Sequence, residues 1–287
     1  MADYNTISSR TYRDKYLKST LEQNLRDALV AQAICDVDMS DSKRIQSPYG
    51  GQPTATISGI TGTYSVSNFT TTDDTLTVDH EIKYAEHIFN YDDLLTQFDV
   101  YASRVDEMTY AIKERIDHFV LNNLCEDGTG TYSTPSGGFT TASNIITIMA
   151  NLNSKVAGYH EAYKGTFLVI ENSDMVGFEI AQATSGYSTA DSVLNNGFYR
   201  HFMGVDIYVV RDGTFVTATI GLNSVSNDGH RVFGVKGVST YATPRGLHIE
   251  EKQISGAFGT EVALQMLCGF KVWTPKAGLI IDITITA

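Results

Sequence analysis

The chain has 287 residues, of which 42% are hydrophobic and 19% charged, enough to bury one sizeable core or two moderate ones. Its 33 acidic residues against 21 basic ones give a net charge of -12, which opposes wrapping around a phosphate backbone and disfavours sequence-specific DNA binding. Cys35, Cys125 and Cys268 have no paired spacing and read as reduced thiols of a cytosolic compartment. The first residues lack a basic stretch followed by an apolar run, and eighteen consecutive apolar residues occur nowhere, so neither a signal peptide nor a membrane span is expected.

The charge is uneven. Up to Arg26 there are five basic residues (Arg10, Arg13, Lys15, Lys18, Arg26) against three acidic ones (Asp3, Asp14, Glu22), a balance of 5 − 3 = +2, leaving -14 for the remainder. A basic arm lying on an acidic neighbour and a solvated helix face both fit this split. Tyr12, Tyr16, Leu21, Leu25 and Leu29 recur roughly every four residues, which predicts an amphipathic helix over 12–33. Residues 36–53 lose periodicity and end in the turn formers Ser47, Pro48, Gly50, Gly51 and Pro53.

Next comes strict alternation. Leu76, Val78, His80, Ile82, Tyr84, Glu86 and Ile88 share one face, so 76–88 is expected to be one strand. A β-rich stretch over 57–69 precedes it, separated by Thr70, Thr71, Thr72, Asp73 and Asp74. The pair is expected to form a ribbon on the order of 50 Å long with a polar tip. A lone ribbon of that length is not stable, so another copy of the chain is its expected support. From Asp93 the period changes: Leu94, Phe98, Tyr101, Val105, Met108, Ile112, Ile116 and Phe119 mark one long helix of about 45 Å that stops before Gly128. Further expectations are helices over 142–156 and 173–183 and strands over 167–170, 205–210, 215–222, 231–242, 262–273 and 279–286. This is an α+β layout without internal repeats.

No motif for chemistry survives inspection. Gly237-Val238-Ser239-Thr240-Tyr241 misses the last glycine of a nucleophile elbow, and Gly128-Thr129-Gly130 follows a helix instead of a strand and reads as a flexible turn. His80 and His87 face opposite sides of their strand and cannot chelate one metal within it. Asp36 opens a calcium-like loop, but Asp41 stands where glycine is needed and Ser47 where a bidentate glutamate belongs. The pairs Asp73-Asp74 and Glu250-Glu251 read as solvated charges instead of an acid/base pair. No catalytic residue, cofactor or metal is assigned, and the chain is not read as an enzyme.

The order of elements and three stretches carry a resemblance. They are Lys113-Glu114-Arg115-Ile116-Asp117 leading to Gly128-Thr129-Gly130 and Pro135-Ser136-Gly137-Gly138; Phe202-Met203-Gly204 leading into 205–210; and Cys268-Gly269-Phe270-Lys271-Val272-Trp273-Thr274-Pro275. Together they resemble the major capsid proteins of tailed bacteriophages, the Hong Kong ninety-seven coat fold, over nearly the whole chain. The resemblance implies an N-terminal arm (1–52), an extended β-hairpin loop (53–89), a spine helix with the first part of a peripheral domain (90–140), an axial domain (141–235) and return strands completing the peripheral domain (236–287).

It further implies self-assembly into pentamers and hexamers of an icosahedral virion shell around double-stranded DNA, put together in the host cytoplasm. A separate scaffolding protein, a portal and a decoration protein are the implied partners, with no sequence-specific DNA contact and no membrane. An encapsulin-like compartment shell is the alternative, and a β-rich enzyme using His and carboxylates a distant third. Candidate subunit-interface residues are Arg10, Arg13, Lys15 and Lys18 on the arm and Tyr64, Val66, Phe69, Ile82 and Tyr84 on the ribbon. The stretch between Arg44 and Lys83 contains neither Lys nor Arg, so no isopeptide link from the loop is expected.

Overall fold

A computed structural model describes residues 29–89, 100–185 and 198–286, except positions 41, 52, 56, 58, 59, 61, 63–65, 67, 221 and 245. The expected helix over 12–33 therefore lies almost wholly outside the described residues. At its end stands a one-turn helix α1 (Ala31–Ile34), followed by β1 (Asp36–Asp38).

The long helix α2 (Val100–Asp127) has 28 residues, about 42 Å of rod. Its stripe of Met108, Ile112, Ile116, Phe119, Val120 and Leu124 is buried, as the spacing predicts. It stops at Gly128, where any side chain would press on Ile280 and where the Gly128 amide closes the last turn on Leu124 O at 3.2 Å. The expected beginning of this helix, with Leu94 and Phe98, lies outside the described residues.

One sheet has six strands: β5 (Gly130–Ser133), β15 (Ile280–Thr284), β11 (His230–Val235), β6 (Thr166–Glu171), β8 (Val205–Val210) and β7 (Phe198–Phe202), in that spatial order. β6 is buried at every position, which explains why Phe167, Leu168, Val169 and Ile170 form an unbroken apolar run. Helix α3 (Ala142–Val156) buries Ile145, Ile148, Met149 and Leu152 and packs beside α4 (Met175–Ser185). A buried Arg231 locks this half of the molecule, pairing with Glu171 at 2.8 Å and Asp174 at 2.5 Å.

The second sheet is built on β14 (Gly259–Val272). Its first ten residues pair with β4 (His80–Phe89), residues 260–265 also pair with β13 (His248–Gln253), and its last four pair with β12 (Ser239–Ala242), which carries β1 in parallel. Helix α2 packs on β4 and β14 of this sheet and on β15 and β11 of the other. Asn122 staples it further: its Nδ2 donates to Thr214 O at 2.9 Å, its Oδ1 accepts from the Val216 amide at 3.1 Å, and Asn227 Nδ2 donates to its carbonyl at 2.8 Å.

Several expectations need correction. The alternation over 76–88 keeps its parity, with Leu76, Val78, His80 and Ile88 buried, but the chain breaks at Val78 and Asp79 into β3 (Thr71–Thr77) and β4. The ribbon partner of β3 is β2 (Arg44–Gly50), not 57–69, where none of the described residues is in a strand. The turn formers had hidden β2. Pro48 fits because, among the described residues, only β3 is paired with this strand, so one edge needs no amide from it. The polar tip Thr71–Asp74 is thus part of the ladder.

The strand expected over 231–242 is two, because Gly237 adopts φ +68 and sends β11 and β12 into different sheets. The strand over 215–222 is a hairpin of β9 (Thr217–Ile220) and β10 (Asn223–Ser226). Gly130, read as part of a flexible turn, starts β5, paired parallel to β15.

Gly177 in α4 touches the Phe139 carbonyl so closely that a Cβ there would overlap it. Gly177→Ala should destabilise the fold by about 1–3 kcal/mol through overpacking. Thermal unfolding of the variant should show a lowered Tm, and an unchanged Tm would mean that the contact yields freely.

Candidate functional site

The surface that stands apart from the core is the β2–β3 ribbon and the chain beyond it. Its base is built firmly. Leu76, Val78 and Ala242 form a small buried cluster of their own, backed by Ile45, Leu267 and Trp273, whose Nε1 donates to Thr240 Oγ1 at 2.9 Å. Asp74, expected to be solvated, is buried: its Oδ2 accepts from the Thr274 amide at 2.7 Å and its Oδ1 lies 3.4 Å from Lys271 Nζ. Burial opposes ionisation of Asp74, but the Thr274 hydrogen bonds and the Lys271 charge outweigh it and hold the carboxyl below its usual 3.8. The ion pair therefore rivets the ribbon to the end of β14 across neutral pH.

Beyond Gly50 and Thr71 the picture reverses. Ile57, Ile60, Val66 and Phe69 are exposed at 104%, 108%, 83% and 76%, a set of large apolar side chains left largely uncovered by the described residues. The Phe69 ring rests on the bare backbone of Gly50, where a Cβ would overlap it. Tyr64 lies outside the described residues, as do Arg10, Arg13, Lys15 and Lys18.

Ile82 and Tyr84 sit on the face of β4 turned toward α2. Ile82 packs against its own subunit's core, whereas Tyr84 keeps 45% of its surface exposed. On the same face Arg104 of α2 grips Glu86 through Nε at 3.2 Å and Nη2 at 2.7 Å and also pairs with Glu107 at 2.7 Å, so its pKa is raised. Tyr101 OH donates to Glu251 of β13. The long helix is thus clamped to both outer strands of the sheet. The opposite face is polar, with a groove of about 250 Å³ floored by Ala85 and Ala263. Its ion pairs, Lys83–Glu81 at 3.4 Å and Lys252–Glu250 at 2.9 Å, are solvated and contribute little.

The residues considered for chemistry have structural partners. His80 contacts Asp79 at 2.5 Å, accepts from the Leu222 amide at 3.2 Å and packs on Phe119, while His87 points to the other face beside Glu261. Cys35, Cys125 and Cys268 are all buried. Burial pushes the thiols of Cys35 and Cys268 up to about 12 and that of Cys125 well above its usual 9.0, so thiolate is scarce. Asp36 stands in β1, a regular parallel strand, not in an ion-binding loop. Among the described residues no group of three or more His, Cys, Asp or Glu could hold a metal ion, and no helix is long and apolar enough to cross a membrane.

The residues missed by sequence reasoning are Asp74, Arg104 and Asp117. Asp117 on α2 accepts from the amides of Val30 and Ala31 at 2.9 and 2.6 Å. Each of these three meets a partner far away along the chain or in another element, so no local pattern marks it.

No family model and no curated protein matches the sequence. Solved structures do. The capsid of the cyanophage P-SCSP1u aligns with a TM-score of 0.70 at 13% identity, covering 93% of this chain and 90% of that one. Mycobacterium phage Che8 gives 0.70 at 12% identity over 94% and 96% of the two chains. The capsid of an empty GTA particle gives 0.68 at 14% identity over 98% of each. At these identities the likeness is one of architecture, and it extends from the ribbon through the long helix to the closing strands. This chain has the α+β fold of phage capsid subunits.

Proposed function

We propose that this protein is the major capsid protein of a tailed phage, assembling into pentamers and hexamers of an icosahedral shell that encloses double-stranded DNA. The observation that carries the reading is the combination of a capsid fold over nearly the whole chain with a ribbon riveted at its base and apolar beyond it. A monomer leaves Ile57, Ile60, Val66 and Phe69 in water. A neighbouring copy that covers them gains about 1.5–3 kcal/mol for each side chain fully buried. Pentamers and hexamers provide such a neighbour for every subunit, and the shell repeats the gain at each one.

In this reading the start of the 1–52 arm, with Arg10, Arg13, Lys15 and Lys18, lies on the acidic surface of a neighbour and adds screened attraction, while 29–50 is built into its own subunit through α1, β1 and β2. Residues 53–89 form the extended loop, 90–140 and 236–287 the peripheral domain and 141–235 the axial domain. The protein has no catalytic role and resides in the virion after assembly in the host cytoplasm. Its partners there are a scaffolding protein, a portal, a decoration protein and the packaged DNA, which it touches without reading sequence.

Three outcomes are expected for assembly. The parent chain, with scaffolding protein supplied, should form large particles in light scattering. The double variant Val66→Asp and Phe69→Asp should raise the protein concentration needed for assembly at least tenfold while leaving the Tm of the subunit unchanged, since about 1.4 kcal/mol corresponds to tenfold. Reversal of Arg10, Arg13, Lys15 and Lys18 to Glu should weaken assembly most at low salt. A parent chain that stays monomeric at high concentration would sink the proposal.

A fourth outcome concerns bonding. With neither Lys nor Arg between Arg44 and Lys83 and no Cys in the ribbon, the shell is held non-covalently. Particles boiled in denaturant under reducing conditions should run as one band near 31.5 kDa. A ladder of covalent multimers would contradict this.

A further inference from the structure

His80 is the only buried histidine among the described residues, and both of its ring nitrogens are engaged. Nδ1 lies 2.5 Å from Oδ1 of the half-exposed Asp79, and Nε2 accepts from the Leu222 amide at 3.2 Å. A carboxylate has no proton to give and a backbone N–H can only donate, so these contacts define a neutral ring with its hydrogen on Nδ1. Phe119 of α2 holds the ring in that pose, its centroid 4.5 Å away.

The two ends of this contact belong to distant parts of the chain. His80 opens β4 just after the break at Val78 and Asp79, whereas Leu222 stands in the turn between β9 and β10. The root of that hairpin is pinned to α2 at Asn122 and Glu126, which accept from the Val216 amide at 3.1 Å and the Ser226 amide at 2.8 Å. Its turn has two polar ties among the described residues. Asn223 Nδ2 donates to Asn123 Oδ1 of α2 at 2.6 Å, and the Leu222 amide donates to His80, the one tie that reaches β4.

Few titratable groups face the ring. β4 brings Asp79, while Glu81 turns to the opposite face beside Lys83 and Gln265. β14 brings Cys268, opposite His80 in the ladder, its thiol pushed up to about 12 by burial and therefore neutral. On α2 the neighbours of Phe119, Asp117 and His118, line a separate cleft with Leu29 and Arg211, and the hairpin has no charged residue over 217–226.

We propose that His80 is a proton-sensitive clasp that holds the β9–β10 turn on the start of β4, closed while the ring is neutral and opened by a second proton. That proton occupies Nε2, so the acceptor of the Leu222 amide becomes a donor and N–H is set against N–H. The imidazolium keeps its contact with Asp79, which compensates the buried charge, and the link that is lost is the one to Leu222. The tie is therefore complete at the alkaline end and lost as the pH falls through the titration of the ring. Opening frees the turn beside the point where the ribbon joins β4, while β4 itself stays paired with β14. The clasp lies within one subunit and operates whether or not shells form.

Hydrogen–deuterium exchange of the full chain, read by mass spectrometry with fragmentation to single residues, tests it from about pH 8 to about pH 5, the range in which histidines change charge. After correction for intrinsic exchange, protection of the Leu222 amide should fall roughly tenfold toward acid, as loss of about one hydrogen bond requires, while the Val216 amide keeps its protection. His80→Gln places a side-chain oxygen near the position of Nε2 and cannot titrate, so its Leu222 protection should be flat. Asp79→Asn removes the compensating charge and should move the fall to lower pH. Protection of Leu222 that ignores pH in the parent, or that keeps its pH dependence in His80→Gln, overturns the clasp. Should His80→Gln fail to fold, Asp79→Asn decides, and an unmoved transition overturns it.

Discussion

Everything in this subunit depends on how one strand, β14, is shared. Over its first ten residues it is the partner of β4, over six of these it also holds β13, and over its last four it holds β12. The change of partner occurs at Gly269, where the backbone of Thr77 and Val78 lies so close that any Cβ would overlap it. A side chain there would push the β3–β4 crossing off the strand. Because the ribbon, the sheet under α2 and the strand that receives β1 all diverge from this crossing, their relative placement is decided at a single residue without a side chain.

Around the crossing the molecule divides its work by chemistry. Where polypeptide must stay put, charges are partnered, fully buried for Arg231 between Glu171 and Asp174 and half-buried for Arg104 on Glu86 and Glu107, with the buried Asp74 on Thr274 and the half-buried Lys271. Removing one partner of the Arg231 cluster leaves the other charge stranded in low dielectric, so that link tolerates little change. Beyond the base of the ribbon charge is absent and apolar side chains project, as at Ile57, Ile60, Val66 and Phe69. The ribbon carries both characters, one at each end.

What the amino-acid pattern revealed depended on distance along the chain. The stripe of Met108, Ile112, Ile116 and Phe119 and the helix 142–156 were legible because their burial is periodic within one element, and the strand 205–210 because it is a short, almost wholly buried apolar run. The parity of Leu76 through Ile88 was legible too, but the break at Val78 was not, since alternation continues through it although the partner strand changes. β2 escaped notice because Pro48, Tyr49 and Gly50 look like a turn until β3 is placed beside them. β13 escaped because His248 through Gln253 are all exposed and carry no hydrophobic signal. Of the candidate interface residues, Val66 and Phe69 could be picked out as apolar residues in a polar stretch. Ile82 could not be sorted from them, because whether a half-buried strand face meets its own helix or a neighbour is decided by the packing of α2.

The central claim is that the exposed apolar end of the ribbon is completed by a second copy within a closed shell. Electron cryo-microscopy of purified particles tests it most directly. The account predicts icosahedral particles built of five- and sixfold capsomers, with density for Val66 and Phe69 covered by an adjacent subunit. Particles of another symmetry, discrete small oligomers, or closed shells in which these side chains face solvent would contradict it.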